Sequence, residues 1–132
     1  MPGELAILLI EDDADDIDFL KDAFRENKLD VSIEVLNRGD LINKYLEAER
    51  PLPHLIVMDL NLPMLHGREV LCRIRENHRF NTVPIAVVST SSLEEDVSFC
   101  LQAGADRFFS KPSSPAGFAS LVKELYKMGL KS

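Results

Sequence analysis

The sequence predicts an α/β fold in which helices cover both faces of a parallel five-stranded sheet. Five short apolar runs alternate with five segments of helical periodicity, and such alternation builds βαβ units whose right-handed connections keep the strands parallel. The first, third and fourth runs are almost continuously apolar, as strands buried on both faces are. The runs are "LAILLI" (5–10), "VSIEVL" (31–36), "LIVMD" (55–59), "IAVVS" (85–89) and "RFFS" (107–110). The second run alternates apolar with polar residues and is therefore predicted to form an edge strand.

The segments between the runs carry apolar stripes at helical spacing. The fourth helix is predicted to begin at a capping box of Ser92 and Glu95, and the fifth to begin with Ser114 as its cap and Pro115 in its first position. The five stripes are Ile17, Leu20 and Phe24; Leu41, Tyr45 and Leu46; Val70, Leu71 and Ile74; Val97, Cys100 and Leu101; and Phe118, Leu121, Val122 and Leu125.

The composition excludes several classes of protein. The 132 residues are predicted to form one domain over 1–132, with a core of 5–128 and a short C-terminal tail. A net charge of −7 argues against nucleic-acid binding. Neither a membrane span nor a signal peptide is recognisable. Cys72 and Cys100 lack metal-ligand spacing and are interpreted as apolar residues in a reducing compartment. We therefore expect a soluble cytoplasmic protein with no nucleic-acid or membrane partner.

Polar residues capable of chemistry follow four of the predicted strands. Glu11 and Asp12 follow the first, Asp59 ends the third, Ser89 and Thr90 end the fourth, and Lys111 and Pro112 follow the fifth. Because the carboxyl ends of parallel strands meet at one edge of a sheet, we expect these residues to lie together at the site where such folds bind ligands.

Each of these residues also has an ordinary structural interpretation. Asp59 taken alone is a turn or cap residue, Ser89 and Thr90 are cap hydroxyls, and Lys111 is a solvated surface amine. For the site to have no function, all of these structural interpretations would have to hold together at one edge of the sheet. That coincidence is improbable, and the pattern therefore favours a functional site. The neighbouring acids Asp13, Asp15 and Asp16 are assigned to capping of the first helix and to its dipole.

The clustered carboxylates predict a metal site. Two carboxylates ~4 Å apart repel by about 4 kcal/mol at an effective dielectric constant of 20, and a divalent cation with oxygen ligands removes this repulsion. Mg²⁺ takes one or two carboxylates and leaves room for phosphate oxygens. Together with a hydroxyl and an ammonium group, such a site suits phosphoryl transfer to Asp59, which would form an aspartyl phosphate.

At these residues the sequence resembles the receiver domain of bacterial two-component response regulators. The resemblance covers Leu5 to about Tyr126 and is carried by "LLIEDD", "IVMDLNLPMLHGREVL", "PIAVVSTS" and "AGADRFFSKP". It implies a flavodoxin-like, doubly wound (βα)5 fold with strand order 2-1-3-4-5. It also implies that a histidine kinase phosphohistidine donates its phosphoryl group to Asp59.

The resemblance further assigns roles to individual residues. Asp12, Asp59 and the backbone carbonyl of Asn61 are implied to bind Mg²⁺ directly, with Glu11 acting through water. Ser89, Thr90 and Lys111 are implied to bind the phosphoryl group, and Phe108 to be the switch aromatic. The peptide bond between Lys111 and Pro112 is expected to be cis.

The runs "DLNLP-x3-GREVL" and "STSSLEEDV" look most like the single-domain regulators of phytochrome-type and hybrid kinases. The expected partners are therefore such a sensor histidine kinase or a histidine phosphotransfer protein. Receivers commonly pair through the fourth helix, fifth strand and fifth helix, so a homodimer on that face is also expected.

Three other functions compete with this interpretation. An aspartyl-nucleophile phosphohydrolase would need a general acid two residues after Asp59, where the sequence has Asn61, and an amide cannot protonate a leaving group. A nucleotide- or flavin-binding module would need a glycine-rich first loop in place of "EDDADD". A phosphorylation-independent binding module would not need the complete site. We therefore expect a signalling phosphoacceptor that catalyses only its own phosphorylation and slow dephosphorylation.

Overall fold

A computed structural model describes residues 4–91 and 93–131 of the chain. The strands are β1 (Leu5–Ile10), β2 (Val31–Leu36), β3 (Leu55–Met58), β4 (Ile85–Ser89) and β5 (Arg107–Ser110). The helices are α1 (Ala14–Glu26), α2 (Leu41–Glu47), α3 (Gly67–Glu76), α4 (Glu94–Gln102) and α5 (Pro115–Leu130), with a 3-10 turn at His78–Phe80. The strands are parallel and lie in the order β2-β1-β3-β4-β5, which confirms the predicted flavodoxin-like fold.

Two apolar layers enclose the sheet because successive strand residues point to opposite faces. On one face, side chains such as Ile10 and Met58 pack with buried residues of α2, α3 and α4. On the other face, Leu9 and Val57 pack with buried residues of α1 and α5. The alternating strand β2 lies at the edge of the sheet, as predicted, with Glu34 exposed.

Backbone hydrogen bonds extend the register of the sheet one residue beyond the strands. The N–H of Asp59 donates to the carbonyl of Ile10 at 3.0 Å, and the N–H of Lys111 donates to the carbonyl of Ser89 at 2.9 Å. Asp59 is thereby fixed beside the end of β1, and Lys111 beside the end of β4, at the carboxyl edge of the sheet.

The helix termini differ from the sequence predictions in two places. Ser114 caps α5 by accepting from the N–H of Gly117, as predicted. The predicted capping residue Ser92 lies outside the described residues, and α4 begins at Glu94 after Leu93. The predicted core ends at residue 128, whereas α5 continues two residues further, to Leu130.

Close approach to β1 accounts for the glycine near the end of α5. A Cβ atom on Gly129 would lie 2.5 Å from Cδ2 of Leu5. Glycine is a weak helix former, yet Gly129 lies within α5. Its missing side chain is what lets the last turn of α5 pack on the sheet.

Candidate functional site

Acidic side chains from β1 and β3 meet at the carboxyl edge of the sheet. Carboxylate oxygens of Glu11, Asp12 and Asp59 all lie within 4.8 Å of one another. Glu11 is 3% exposed and Asp59 is 5% exposed, whereas Asp12 is open to solvent. The predicted convergence of these three residues is therefore present in the structure.

The carboxylate of Asp59 is held in a fixed orientation. Its Oδ1 atom accepts from the N–H of Leu60 at 2.7 Å and from that of Asn61 at 3.4 Å. Its Oδ2 atom accepts from Nζ of Lys111 at 3.0 Å. The loop after β3 needs Gly67 to close over this residue, since a Cβ atom there would lie 2.5 Å from the Asp59 carbonyl oxygen.

Glu11 is bound on both of its oxygens. Oε2 accepts from the N–H groups of Asp12 and Asp13 at 3.1 and 3.2 Å, and Oε1 lies 2.8 Å from Nζ of Lys111. Burial raises the pKa of Glu11 above its ordinary value, and the charge of Asp59 adds to this rise, while Lys111 opposes it.

Lys111 is the cation that faces these acids. Its ammonium group contacts three carboxylates, those of Asp16 at 2.6 Å, Glu11 at 2.8 Å and Asp59 at 3.0 Å. Burial acts to lower the pKa of Lys111, but hydrogen bonds to these carboxylates outweigh it and raise the pKa above its usual value. The side chain is 10% exposed and remains charged.

Asp16 is a site residue that the sequence interpretation missed. Asp13 is the N-cap of α1, as predicted, and accepts from the N–H groups of Asp15 and Asp16. The assignment of Asp16 to the helix terminus alone is incomplete, because its carboxylate binds Lys111. Its spacing from the other acids gave no signal for this contact, because Asp12 precedes the N-cap of α1 and the four-residue helical spacing does not apply to it.

The hydroxyl group of Ser89 belongs to a hydrogen-bonded chain that the sequence did not reveal. Ser89 is fully buried and its Oγ atom accepts from the N–H of Ser91 at 3.3 Å, while Thr90 is exposed. The Ser91 hydroxyl donates to Asp96 on α4 at 2.5 Å, and Asp96 accepts from the guanidinium group of Arg68 on α3.

Phe108 lies in β5 beside β4, with Val87 as its Cα partner in the register. It is half-buried and packs against the apolar layer of α3 and α4. The next ring, Phe109, packs on the opposite face beneath the guanidinium group of Arg107, 4.5 Å from the ring centre. Phe108 is therefore placed between the strand that carries Ser89 and the surface of α4.

The expected cis bond before Pro112 is wrong, because every described peptide bond is trans. In a bond that precedes proline the trans isomer is favoured by only about 0.5–1 kcal/mol. The residue types alone therefore do not select the isomer.

The donor set at this edge suits a hard divalent cation. At a separation of 4.8 Å, a pair of carboxylates repels by about 3–4 kcal/mol at an effective dielectric constant of 20. Lys111 supplies one positive charge to the cluster, which leaves the group strongly anionic. Oxygen ligands of this kind are those that Mg²⁺ and similar cations bind.

Comparison with known families gives a match over residues 7–123 to the response regulator receiver domain. The chain belongs to this family. Receiver domains are signalling domains of two-component systems and interact with histidine kinases. In the part of the chain that the structure describes, no helix combines the length and apolar character needed to cross a membrane.

Two of the similar proteins are cyanobacterial response regulators, and this chain covers most of the length of each. The receiver is 30% identical to response regulator Rcp1 of Synechocystis over 127 residues, which cover 92% of this chain and 82% of that protein. The crystal structure of the phosphorylated cyanobacterial phytochrome response regulator RcpA superposes with a TM-score of 0.87 at 28% identity, covering 97% of this chain and 95% of that chain.

A third relative was solved with a metal ion. This relative is the receiver domain of the sensor histidine kinase PA1611 from Pseudomonas aeruginosa, whose crystal structure has a magnesium ion coordinated in the active-site cleft. Its structure matches this chain with a TM-score of 0.75 at 25% sequence identity, and the match covers 95% of this chain and 99% of that chain.

Replacing Glu11 tests whether its ionised, buried carboxylate destabilises the folded receiver. Because the pKa of Glu11 is raised in the folded state, its contribution to stability is present at low pH and is lost as the pH rises through the folded-state pKa. Without metal, Glu11→Gln should therefore raise the free energy of unfolding in urea at pH 7.5, and the gain should shrink towards pH 4.

The exposed carboxylate of Glu26 provides a matched control. Glu26→Gln should change the free energy of unfolding by no more than about 0.5 kcal/mol, as surface substitutions usually do. A gain from Glu11→Gln that stays constant or grows as the pH falls would contradict the prediction.

Proposed function

We propose that this receiver accepts a phosphoryl group on Asp59 from the phosphohistidine of a histidine kinase or a histidine phosphotransfer protein. The observation that carries the proposal is the buried Asp59 carboxylate, which lies within 4.8 Å of Glu11 and Asp12 and accepts a hydrogen bond from Lys111. The signal then leaves by protein contact or by onward phosphoryl transfer.

The chemistry assigned to Asp59 is a direct displacement at phosphorus. A bond forms between a carboxylate oxygen and phosphorus while the phosphorus–nitrogen bond of the donor breaks, and its electron pair leaves with the imidazole. An ionised carboxylate has no proton to lose, so no general base is required. The Lys111 ammonium stabilises charge on the phosphoryl oxygens, and the Ser89 hydroxyl donates a hydrogen bond to one of them.

Asp12, Asp59 and the Asn61 carbonyl are proposed as direct ligands of Mg²⁺, with Glu11 acting through water. The exposure of Asp12 supports this division, as do the hydrogen bonds that already engage both oxygens of Glu11. The magnesium reported in the PA1611 receiver supports the choice of metal. When bound, the ion neutralises negative charge on the carboxylates and on the phosphoryl group.

The proposed upstream partner is a phytochrome-like or hybrid sensor kinase. The similarity to RcpA, a phytochrome response regulator, supports this partner. The proposed compartment is the cytoplasm, and the free thiols of Cys72 and Cys100 are in keeping with its reducing conditions. The receiver acts as a signalling protein and catalyses only its own phosphorylation and slow dephosphorylation.

The proposed output is a change at the surface formed by α4, β5 and α5. A phosphoryl oxygen draws the buried hydroxyl of Ser89 inward, and the ring of Phe108, with Thr90 beside the site, responds to that movement. The exposed side chain of Leu101 on α4 supplies apolar contact area there. This surface is the proposed interface for a homodimer or for a downstream partner.

Phosphorylation of Asp59 is tested by intact mass spectrometry. Wild type incubated with acetyl phosphate and Mg²⁺ should gain the mass of one phosphoryl group, and Asp59→Asn should gain none, because the amide is not a nucleophile at phosphorus. Asp15→Asn, which removes an exposed charge nearby, should react as wild type does. Equal uptake by wild type and Asp59→Asn would reject the assignment.

The metal ligands are tested by Mg²⁺ titration of alanine variants. Asp12→Ala should weaken binding by at least about ten-fold, equivalent to about 1.4 kcal/mol, since it removes a direct ligand. Asp15→Ala should bind as wild type does, because Asp15 lies in the first turn of α1 outside the three-carboxylate cluster. Loss of Mg²⁺ binding in Asp15→Ala with retention in Asp12→Ala would reverse these roles.

The role of Ser89 is tested by sedimentation with and without beryllofluoride and Mg²⁺. The phosphoryl mimic should shift the self-association of wild type by about five- to one hundred-fold, a usual size for coupling between sites, and Ser89→Ala should lose most of that shift. Thr90→Ala removes the adjacent exposed hydroxyl and measures whether it contributes. An equal shift in wild type and Ser89→Ala would show that Ser89 is not the relay.

A further inference from the structure

The Asp16 carboxylate makes the shortest of the three contacts to the site lysine. It lies 2.6 Å from Nζ of Lys111, compared with 2.8 Å for Glu11 and 3.0 Å for Asp59. Asp16 is neither a proposed metal ligand nor a proposed phosphoryl-binding residue. A contact of this length between ionised groups within a largely buried site is a strong, directional hydrogen bond.

Both partners of this contact stand on fixed backbone. The N–H of Asp16 donates to the side chain of Asp13 at 3.1 Å in the first turn of α1. The N–H of Lys111 donates to the carbonyl of Ser89 at 2.9 Å. The side chain of Asp16 is 23% exposed and that of Lys111 is 10% exposed, so bulk water screens the pair only in part.

Asp16 touches the ammonium group without joining the candidate metal ligands. Among the described residues, the cluster whose carboxylate oxygens lie within 4.8 Å of one another contains Glu11, Asp12 and Asp59. An ammonium group has three N–H donors. With two donors bound to Glu11 and Asp16, the third is left for Oδ2 of Asp59.

We propose that Asp16 is a positioning residue for phosphoryl transfer, which together with Glu11 aims the Lys111 ammonium at the reacting oxygen of Asp59. This inference rests on the proposed function and adds a residue to it. When the bond from Asp59 to phosphorus forms and the donor's bond to phosphorus breaks with its electron pair, Lys111 moves one hydrogen bond from Asp59 to a phosphoryl oxygen. Its bonds to Glu11 and Asp16 remain in place.

The primary test compares two substitutions that remove the same charge from the same helix turn. Asp16→Asn keeps the shape of the side chain but loses the ion pair, while Asp15→Asn changes an exposed residue. Each variant is incubated with Mg²⁺ and increasing acetyl phosphate, and phosphorylation is followed by intact mass spectrometry. Asp16→Asn should lower the maximal rate by about ten-fold, within the range for loss of orientation, and leave half-saturation within about two-fold. Asp15→Asn should match wild type.

Two further measurements distinguish positioning from a general structural effect. The ¹⁵N resonance of the Lys111 ammonium, recorded without donor, should shift or broaden in Asp16→Asn and stay unchanged in Asp15→Asn. The Mg²⁺ dissociation constant of Asp16→Asn should remain close to that of wild type, because Asp16 is not a proposed ligand. Asp16→Glu retains a carboxylate and should recover much of the rate.

The outcomes separate this inference from the function on which it rests. Failure of wild type to become phosphorylated would reject the proposed function. Normal phosphorylation of wild type with equal rates in Asp16→Asn and Asp15→Asn, and an unmoved Lys111 resonance, would reject the positioning role alone. A loss of Mg²⁺ affinity that parallels the loss of rate in Asp16→Asn would also reject it, since Asp16 would then act through the metal.

Discussion

The ion cluster around Lys111 is the interaction on which the site depends. Its ammonium joins carboxylates from three parts of the fold, namely Glu11 after β1, Asp59 after β3 and Asp16 in α1. Burying two of these acids is unfavourable unless a charge of opposite sign lies beside them. Lys111 meets this requirement in part and leaves the cluster anionic, which is the electrostatic condition that attracts a divalent cation.

The parallel sheet makes this arrangement possible because it delivers separate chain segments to one edge. Backbone hydrogen bonds from Asp59 to β1 and from Lys111 to β4 fix the positions of these two site residues independently of their side-chain contacts. The helices then complete the edge, since the first turn of α1 supplies Asp16 and the close start of α3 at Gly67 shapes the loop that holds Asp59. Rigid backbone positions the groups, and the ionic contacts orient them.

The sequence predicted best those features that depend on the local pattern of apolar and polar residues. Continuous apolar runs gave the strand bounds closely, and polar residues at their ends indicated the cluster of Glu11, Asp12 and Asp59. The Asp16–Lys111 contact escaped prediction because it joins residues 95 positions apart, and helix capping was a sufficient local explanation for an acid at that position. The helical end of the chain also depends on tertiary packing, because the last turn of α5 approaches Leu5 of β1 closely at Gly129.

The hydroxyl group of Ser89 has a protein partner before any phosphoryl group arrives. That bond uses the hydroxyl oxygen as an acceptor, so in the proposed mechanism Ser89 can donate its O–H to a phosphoryl oxygen while it still accepts from the N–H of Ser91. Ser91 is also bound to Asp96 on α4, which in turn binds Arg68 on α3. In the proposed switch, movement of Ser89 displaces the Ser91 end of this hydrogen-bonded chain, which joins α4 to α3. Phe108 packs on the same face of the sheet as the buried residues of α3 and α4, so the proposed movement of Ser89 is directed towards the surface of α4 and β5.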